Sequence, residues 1–465
     1  MTAPFLWIIV PILLGILSFM LVSEHATAVT GGVIALVLAG LALILPIDEA
    51  VLIGPLSFKL SASFLILGRS MVLPSSTAPL LALIFGVCAL WFFGAEAAGV
   101  AARLIPFGLI ITGLLVAAIA VQPFLFASLL IETAVLVAVP LLAEPGQRPG
   151  QGVIRFLIYQ TLGMPFILLA GWLLAGVEAS PGDLSFTVQS TVMLGLGFAF
   201  LLAIFPLYNW IPQLMEESAP YVAGFLIWLL PTIVVVSAMS FLDRYAWLRS
   251  SPQIIAGLRL TGIIMLVSGA WWTVFERHAG RLMAYSSIAQ TGFLLLGLGL
   301  ANGQSPNVVF LLMIPRGLAM ALWALALSVL RGTAPTLELA SLRGLARSYP
   351  FASAAMILAA LSSAGFPLLG GFAPRLALWQ GLAGQSSAAV IWYLLGLLGL
   401  LAGAVRQLAV LVTQGEEGPW KACENLVQRG LLGAGALGLF LLGTFPQVMT
   451  FMVQKLPLMF QHLSR

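Results

Sequence analysis

Fourteen apolar runs of spanning length, separated by short polar connectors, dominate this chain and leave it few possible folds. They fall at 4–23, 27–46, 78–95, 104–121, 124–142, 154–176, 190–213, 219–241, 254–275, 282–301, 307–330, 351–383, 389–412 and 431–453. About 20 apolar residues in a helix cross a bilayer, and in lipid every backbone N–H and C=O must be satisfied within the protein. The pattern predicts an all-α membrane protein of about fourteen transmembrane helices. Composition closes the other options. The 465 residues are 61% hydrophobic and 8% charged, against about 25% charged in soluble domains, so a water-exposed surface could not be covered. Disorder needs low hydrophobicity, and the mean hydropathy here is +1.09. The net charge of +4 comes without any basic run, which fits loop asymmetry and predicts no nucleic-acid partner.

The organisation reads as a single polytopic membrane domain, 1–465, in the cell (inner) membrane. Residues 1–100 hold N-terminal helices and a surface hairpin within 47–77, and 431–465 a C-terminal helix. The opening MTAPFLWIIVPILLGILSFMLVSE lacks a basic n-region and predicts a first span, not a removable signal. The charged loop 413–430 predicts a solvated connector. Orientation follows Lys and Arg. Loops on the side away from the termini hold ten (Arg103, Arg148, Arg155, Arg277, Arg281, Arg331, Arg343, Arg347, Lys421, Arg429). The terminus side holds six (Lys59, Arg69, Arg244, Arg249, Lys455, Arg465). Ten against six places both termini outside.

Polar groups within the spans are costly and therefore candidate functional residues. Glu132 is the one acid deep inside a span, FLFASLLIETAVLVAVPLL. It is either an ion-path group or an acid satisfied by a hydroxyl on a neighbouring helix. Arg316 follows Pro315, and Arg375 follows Pro374; each is a candidate for a polar interior. Arg406, near a charged end, predicts snorkelling. Two runs look interrupted: FPLYNWIPQLMEE with Pro206 and Pro212, and FPLLGGFAPRLALWQ with Pro367 and Pro374. Proline removes a donor and breaks the helical ladder, and paired broken helices in two halves of a bundle point to an ion or substrate path. Cys88 and Cys423 are isolated, the three histidines lie outside the spans, and there is no nucleotide or cluster motif. No catalytic set, metal site, haem or other cofactor is expected.

Three stretches then carry a resemblance. GFAFLLAIFPLYNWIPQLMEESAP (197–220), RLMAYSSIAQTGFLLLGLGL (281–300) and LRGLARSYPFASAAMILAALSSAGFPLLGGFAPR (342–375) resemble, in order and with compatible spacing, the antiporter-like membrane subunits of respiratory complex I (NADH:quinone oxidoreductase), of M-like or N-like type. That superfamily includes membrane-bound hydrogenase, photosynthetic NDH and Mrp antiporter subunits. The resemblance implies a fourteen-helix bundle with two inverted five-helix repeats, here 101–241 and 254–412, each with a broken helix. It implies a proton path on which Glu132 takes the fifth-helix acid position and Arg375 the twelfth-helix basic position. It further implies partners: other membrane-arm subunits, the lipid bilayer, and protons or sodium.

The chain departs from the family pattern at Leu201, Gly280 and Met320, where the family carries Lys, and at Gln290, where it carries His. Leu and Met hold no proton, and Arg stays charged in proteins. The path must then run through Glu132, Arg316, Arg375 and the hydroxyl and amide groups of Tyr208, Tyr285, Ser286, Ser287 and Gln290, with Arg155 as a substitute partner for Glu132. The alternative is a copy that keeps the fold and conducts nothing, and a third option is a sodium/proton antiporter subunit of Mrp type.

Overall fold

In the computed structural model, residues 2–463 are described except 22, 54–55, 67, 144–145, 147, 180–183, 302 and 414–419. The chain is predominantly helical. In order the helices are α1 (Phe5–Ser18), α2 (Glu24–Ile44), α3 (Ala78–Gly94), α4 (Ala101–Ala120), α5 (Ala127–Leu142), α6 (Gln151–Ala179), α7 (Leu184–Leu201), α8 (Trp210–Glu217) and α9 (Pro220–Arg244). There follow α10 (Ala246–Ser250), α11 (Pro252–Phe275), α12 (Ala279–Leu298), α13 (Ser305–Arg331), α14 (Pro350–Ala364), α15 (Phe372–Ala383), α16 (Ser387–Val412), α17 (Leu426–Thr444) and α18 (Gln447–Lys455). Among the described residues, ten helices are long and apolar enough to cross a membrane, and α1, α7 and α14 are shorter apolar helices.

Side-chain caps start several of them where the first N–H groups would otherwise be orphaned. Ser23 accepts from Ala26 N (3.1 Å) at α2, and Asn425 and Gln428 form a reciprocal capping box at α17. The segment expected to hold one hairpin holds two. β1 (Ala50–Ile53) pairs antiparallel with β2 (Leu56–Lys59), and β3 (Ser63–Ile66) with β4 (Arg69–Val72). A strand from the connector after α4, β5 (Val121–Gln122), extends the second.

Helices α9 and α13 are the most enclosed of the long helices, and α17 the least. An aromatic cluster of Trp91, Tyr221, Phe225 and Trp228 binds α3 to α9, with Tyr221 Oη donating to Trp91 O (2.9 Å). Elsewhere small residues set the spacing. On the α11–α12 crossing a Cβ at Gly262 would stand 2.8 Å from Leu296 N, one at Gly269 2.8 Å from Tyr285 O, and one at Gly292 2.6 Å from Leu266 N. Backbones in that contact gain dispersion energy that lipid-facing helices cannot take from burial alone.

The charged loop 413–430 is largely exposed over its described residues, as expected of a solvated connector, but it is also anchored. Residues 414–419 lie outside those described. Lys421 N donates to Arg347 O (3.0 Å) and Cys423 N to Ser348 O (2.8 Å). Glu424, buried, accepts from Phe351 N (2.8 Å) and Ala352 N (3.1 Å) in the first turn of α14. A carboxylate there meets the positive end of the helix dipole and two orphan donors at once.

His278 caps α12 through its ring, accepting from Arg281 N (3.3 Å). Burial holds its imidazole below the ordinary range; Arg281 adds to that and Glu216 opposes it. The folded chain therefore takes that proton less readily than the unfolded one. The stabilisation is whole above about pH 6.5 and is lost as pH falls below it.

Two outcomes are expected in thermal melts of the solubilised protein. Gly292→Leu costs about 1–3 kcal/mol by overpacking, whereas Gly433→Leu, with nothing within 4 Å of its Cβ, is near neutral; equal melting points for the two would refute the contact. The drop in Tm from pH 7 to pH 5 is smaller in His278→Asn, which caps without titrating, than in the parent chain.

Candidate functional site

The polar interior is built from carbonyls that prolines leave without partners. In a helix the C=O of residue i accepts from the N–H of i+4, and proline has none. Ser363 O is left over where α14 ends at Ala364, ahead of Pro367, and Pro231 in α9 deprives Ile227 O. Both carbonyls are met by buried arginines: Arg375 Nη2 donates to Ser363 O (3.2 Å), and Arg316 Nη2 makes a longer contact with Ile227 O (3.4 Å).

The second break lies between α14 and α15. α14 ends on Gly365 in the left-handed region (φ 78°), with Gly365 N returning to Ser362 O (3.0 Å). Ser362 Oγ then accepts from Gly371 N (3.1 Å), seating the start of α15. Arg375, one turn into α15, is buried. Its guanidinium lies 3.9 Å from the centre of the Phe293 ring, and Tyr393 Oη donates to Arg375 O (2.7 Å). A desolvated cation on an aromatic face gains about 2 kcal/mol. Pro374, beside it, lies in the first turn of α15, where a missing N–H costs nothing.

The first break separates α7 from α8. The chain turns at Ala203 (φ 51°) and passes Pro206 before Pro212 in α8. The orphan here is Leu201 O, and its donor comes from another helix: Gln160 Nε2 of α6 (3.2 Å). Beside it lies a cavity of about 10 Å³, room for a single water, bounded by Gln160, Leu201, Ala203, Ile227, Ser287 and Thr291. Its far wall is polar. Thr291 Oγ1 accepts from Arg316 Nη2 (3.5 Å) and donates to Ser287 O (3.1 Å). Next to it Gln290 Nε2 donates to Ser363 Oγ (3.1 Å), which donates onward to Ala359 O (2.9 Å). Polar groups of α6, α12, α13 and α14 thus line the way from one break to the other in two sets, one around the cavity and one at the second break, that adjoin on α12 at residues 290 and 291.

The expected residues are not all in those sets. Gln290, Arg316 and Arg375 are. Ser286 Oγ is buried without a partner. Tyr208 is buried against Phe205 (5.9 Å between rings) in the first break. Tyr285 stacks on Trp272 (5.8 Å), away from these contacts. Glu132 accepts from Thr161 Oγ1 of α6 (2.7 Å), and its other oxygen is buried without a partner. Arg155 donates to Gln213 Oε1 (2.9 Å) and forms no ion pair with Glu132. Among the described residues acid–base pairs occur at His25–Glu96 and Arg281–Glu216, so neither buried arginine has a carboxylate within ion-pair distance. Arg406 is held at its span end by Val274 O (2.6 Å) and Glu276 O (2.7 Å). A side chain at Gly280 would bring its Cβ 2.8 Å from Met215 O, so α8 packs where a lysine would have to leave the helix. Leu201 and Met320 are buried.

Gln160, Thr161, Thr291, Ser363 and Tyr393 went unnoticed in the sequence. The signal was present: each is a polar residue inside an apolar run, and Gln160–Thr161 sits in α6 facing both Glu132 and the first break. Among the described residues no cluster of three metal-ligating side chains occurs.

Against known proteins, residues 154–401 match the family described as NADH:quinone oxidoreductase/Mrp antiporter, transmembrane. An NAD(P)H-quinone oxidoreductase chain 4 of Thermosynechococcus vestitus is 26% identical over 256 residues, covering 50% of this chain and 46% of that one. The chain thus spans about half the length of such relatives. NADH-quinone oxidoreductase subunit 14 of Thermus thermophilus is 30% identical over 330 residues, 66% of this chain and 71% of that one. A chain of respiratory complex I from Thermus thermophilus has the same fold, with a TM-score of 0.80 at 21% identity over 99% of this chain and 100% of that one.

Gln160→Leu leaves Leu201 O orphaned and is expected to cost about 1–3 kcal/mol, a fall of a few degrees in Tm for a protein of this size. An unchanged melt would mean that the carbonyl has another donor.

Proposed function

The chain belongs to the NADH:quinone oxidoreductase/Mrp antiporter transmembrane family, and from that premise we propose that it is a proton-translocating subunit of a complex I-like or hydrogenase-like membrane arm. The observation that carries this is the two adjoining polar sets between the broken helices, with Gln160, Thr291, Arg316, Gln290, Ser363 and Arg375. Half-helices inside lipid persist only where their freed backbone lines a polar interior.

The finer architecture belongs to the same reading. Among the described residues ten helices reach spanning length, and adding α1, the broken α7–α8, α12 and the broken α14–α15 makes fourteen. A break then falls in the fourth helix of each five-helix unit, 101–241 and 254–412, as inverted repeats require. Both termini are assigned to the outer side by the Lys and Arg balance.

In the mechanism proposed, Glu132 is the proton-holding group, since it is the carboxylate within the spans and Thr161 holds it by one oxygen. Arg316 and Arg375 keep their charge and act as fixed positive potentials along the line, repelling a cation until an anionic group is near. Hydroxyls, amides and one water in the cavity between Gln160 and Thr291 relay the proton between the halves. Neighbouring subunits supply the driving energy. A second reading, a non-conducting scaffold of the same assembly, draws on Leu201, Met320 and the closely packed Gly280 at positions where a titrating lysine would stand.

Proton translocation by the intact complex in sealed vesicles separates the two. Glu132→Gln is expected to reduce coupled proton movement at least tenfold while the complex still assembles; unchanged coupling would leave the scaffold. If proton flux instead follows a sodium gradient, the subunit is an Mrp-type antiporter.

A further inference from the structure

A cleft on the terminus side of the bundle is amphipathic along its length. Its inner part, about 370 Å³, lies between α7, α9 and α11 and is almost wholly apolar, reaching from Leu248 and Ile254 to Leu202 and Ile204 at the first break. Its outer part, about 240 Å³, shares Leu242, Leu248, Ile254, Leu258 and Leu298 with the inner one, so the two adjoin across those side chains. The outer part opens beside Arg249, Ser305 and His462.

The mouth is cationic. Arg249 donates to two backbone carbonyls, Leu242 O (3.2 Å) and Asp243 O (2.7 Å), and among the described residues no carboxylate pairs with it. The nearby acid, Asp243, turns its carboxylate to His462 N (2.7 Å) and Leu463 N (2.8 Å). A half-buried guanidinium held by carbonyls keeps further N–H groups for an anion, and phosphate is the anion its fork fits best. Below it the walls are almost wholly hydrocarbon for about 10 Å, the rise of α11 from Ile254 to Thr261. Two glycines widen this part: a Cβ at Gly195 or at Gly257 would meet nothing within 4 Å. Apolar space left open to a bilayer at that depth fills with an acyl chain, because an unfilled void forfeits its dispersion contacts.

We propose that this cleft binds one anionic phospholipid, its phosphate on Arg249 and one acyl chain between α7, α9 and α11. The chain end would rest on Leu202, which also lines the water-sized cavity at the first break. The inference needs only that the chain is embedded in a membrane, and stands whether or not it conducts protons.

The test uses the full-length chain in membranes, with phosphatidylglycerol or phosphatidylcholine carrying a photoactivatable group on one acyl chain, and maps the labelled residues. The expected result is labelling of residues 191–204 and 254–261 severalfold stronger with phosphatidylglycerol. Arg249→Gln should bring the two lipids level, and Gly257→Leu should cut labelling severalfold by filling open space; Gly195→Leu serves if that variant does not fold. Equal labelling by the two lipids in the parent chain, or labelling untouched by the filled glycine, overturns the proposal. Competition by millimolar inorganic phosphate as effective as unlabelled phosphatidylglycerol would also overturn it, by assigning the site to free phosphate.

Discussion

The structure depends on how a helix interrupted in hydrocarbon satisfies its own backbone. An orphan carbonyl there has at most a trapped water to turn to, and leaving one bare costs about 1–3 kcal/mol. Three such carbonyls are met by a side chain reaching from elsewhere: Arg375 to Ser363 O at the second break, Gln160 to Leu201 O at the first, and Arg316 to Ile227 O, one turn before Pro231 in the unbroken α9. The breaks and the polar interior are therefore one feature. Closing the second break would take Ser363 O from Arg375, and removing Arg375 or Gln160 would leave a carbonyl at each break unsatisfied.

That arrangement explains why arginine suits two of these places. Its planar fork places donors in two directions, and it is more weakly hydrated than an ammonium. Burying a charge without a counter-ion is still expensive. The Phe293 face under Arg375 and the Thr291 hydroxyl beside Arg316 recover part of that expense. Lysine could titrate here; arginine cannot, so in the function proposed above the proton is left to Glu132 and to neutral groups. The geometry around Gly280 agrees with such a division, since α8 has closed over the spot where a longer side chain would emerge.

Much of this was legible in the residues. Apolar runs gave the helices, and the proline pairs at 206/212 and 367/374 located both interruptions within a few positions. Three motif stretches pointed to the family that residues 154–401 match. What sequence could not supply was pairing across helices. Arg155 looked available to Glu132, yet the turn of α6 directs it to Gln213 while Thr161, six residues on, meets the acid. Gln160 is one amide in a long apolar run, and only the placement of α7 beside α6 makes it the donor at a break. The anchoring of Glu424 within the exposed 413–430 loop was hidden for a related reason. Charge density suggests solvation, and only the fold shows which carboxylate comes within reach of a helix start.

That docked loop has a mechanical side. Glu424 grips the opening turn of α14, and two residues later α17 begins. α17, at an exposed edge of the bundle, is thereby lashed to the rod whose other end carries the second interruption. A tilt of α14 must drag this strap with it, and a neighbour leaning on α17 would press, through one buried carboxylate, on the hinge some twenty ångströms below, roughly the rise of fifteen helical residues.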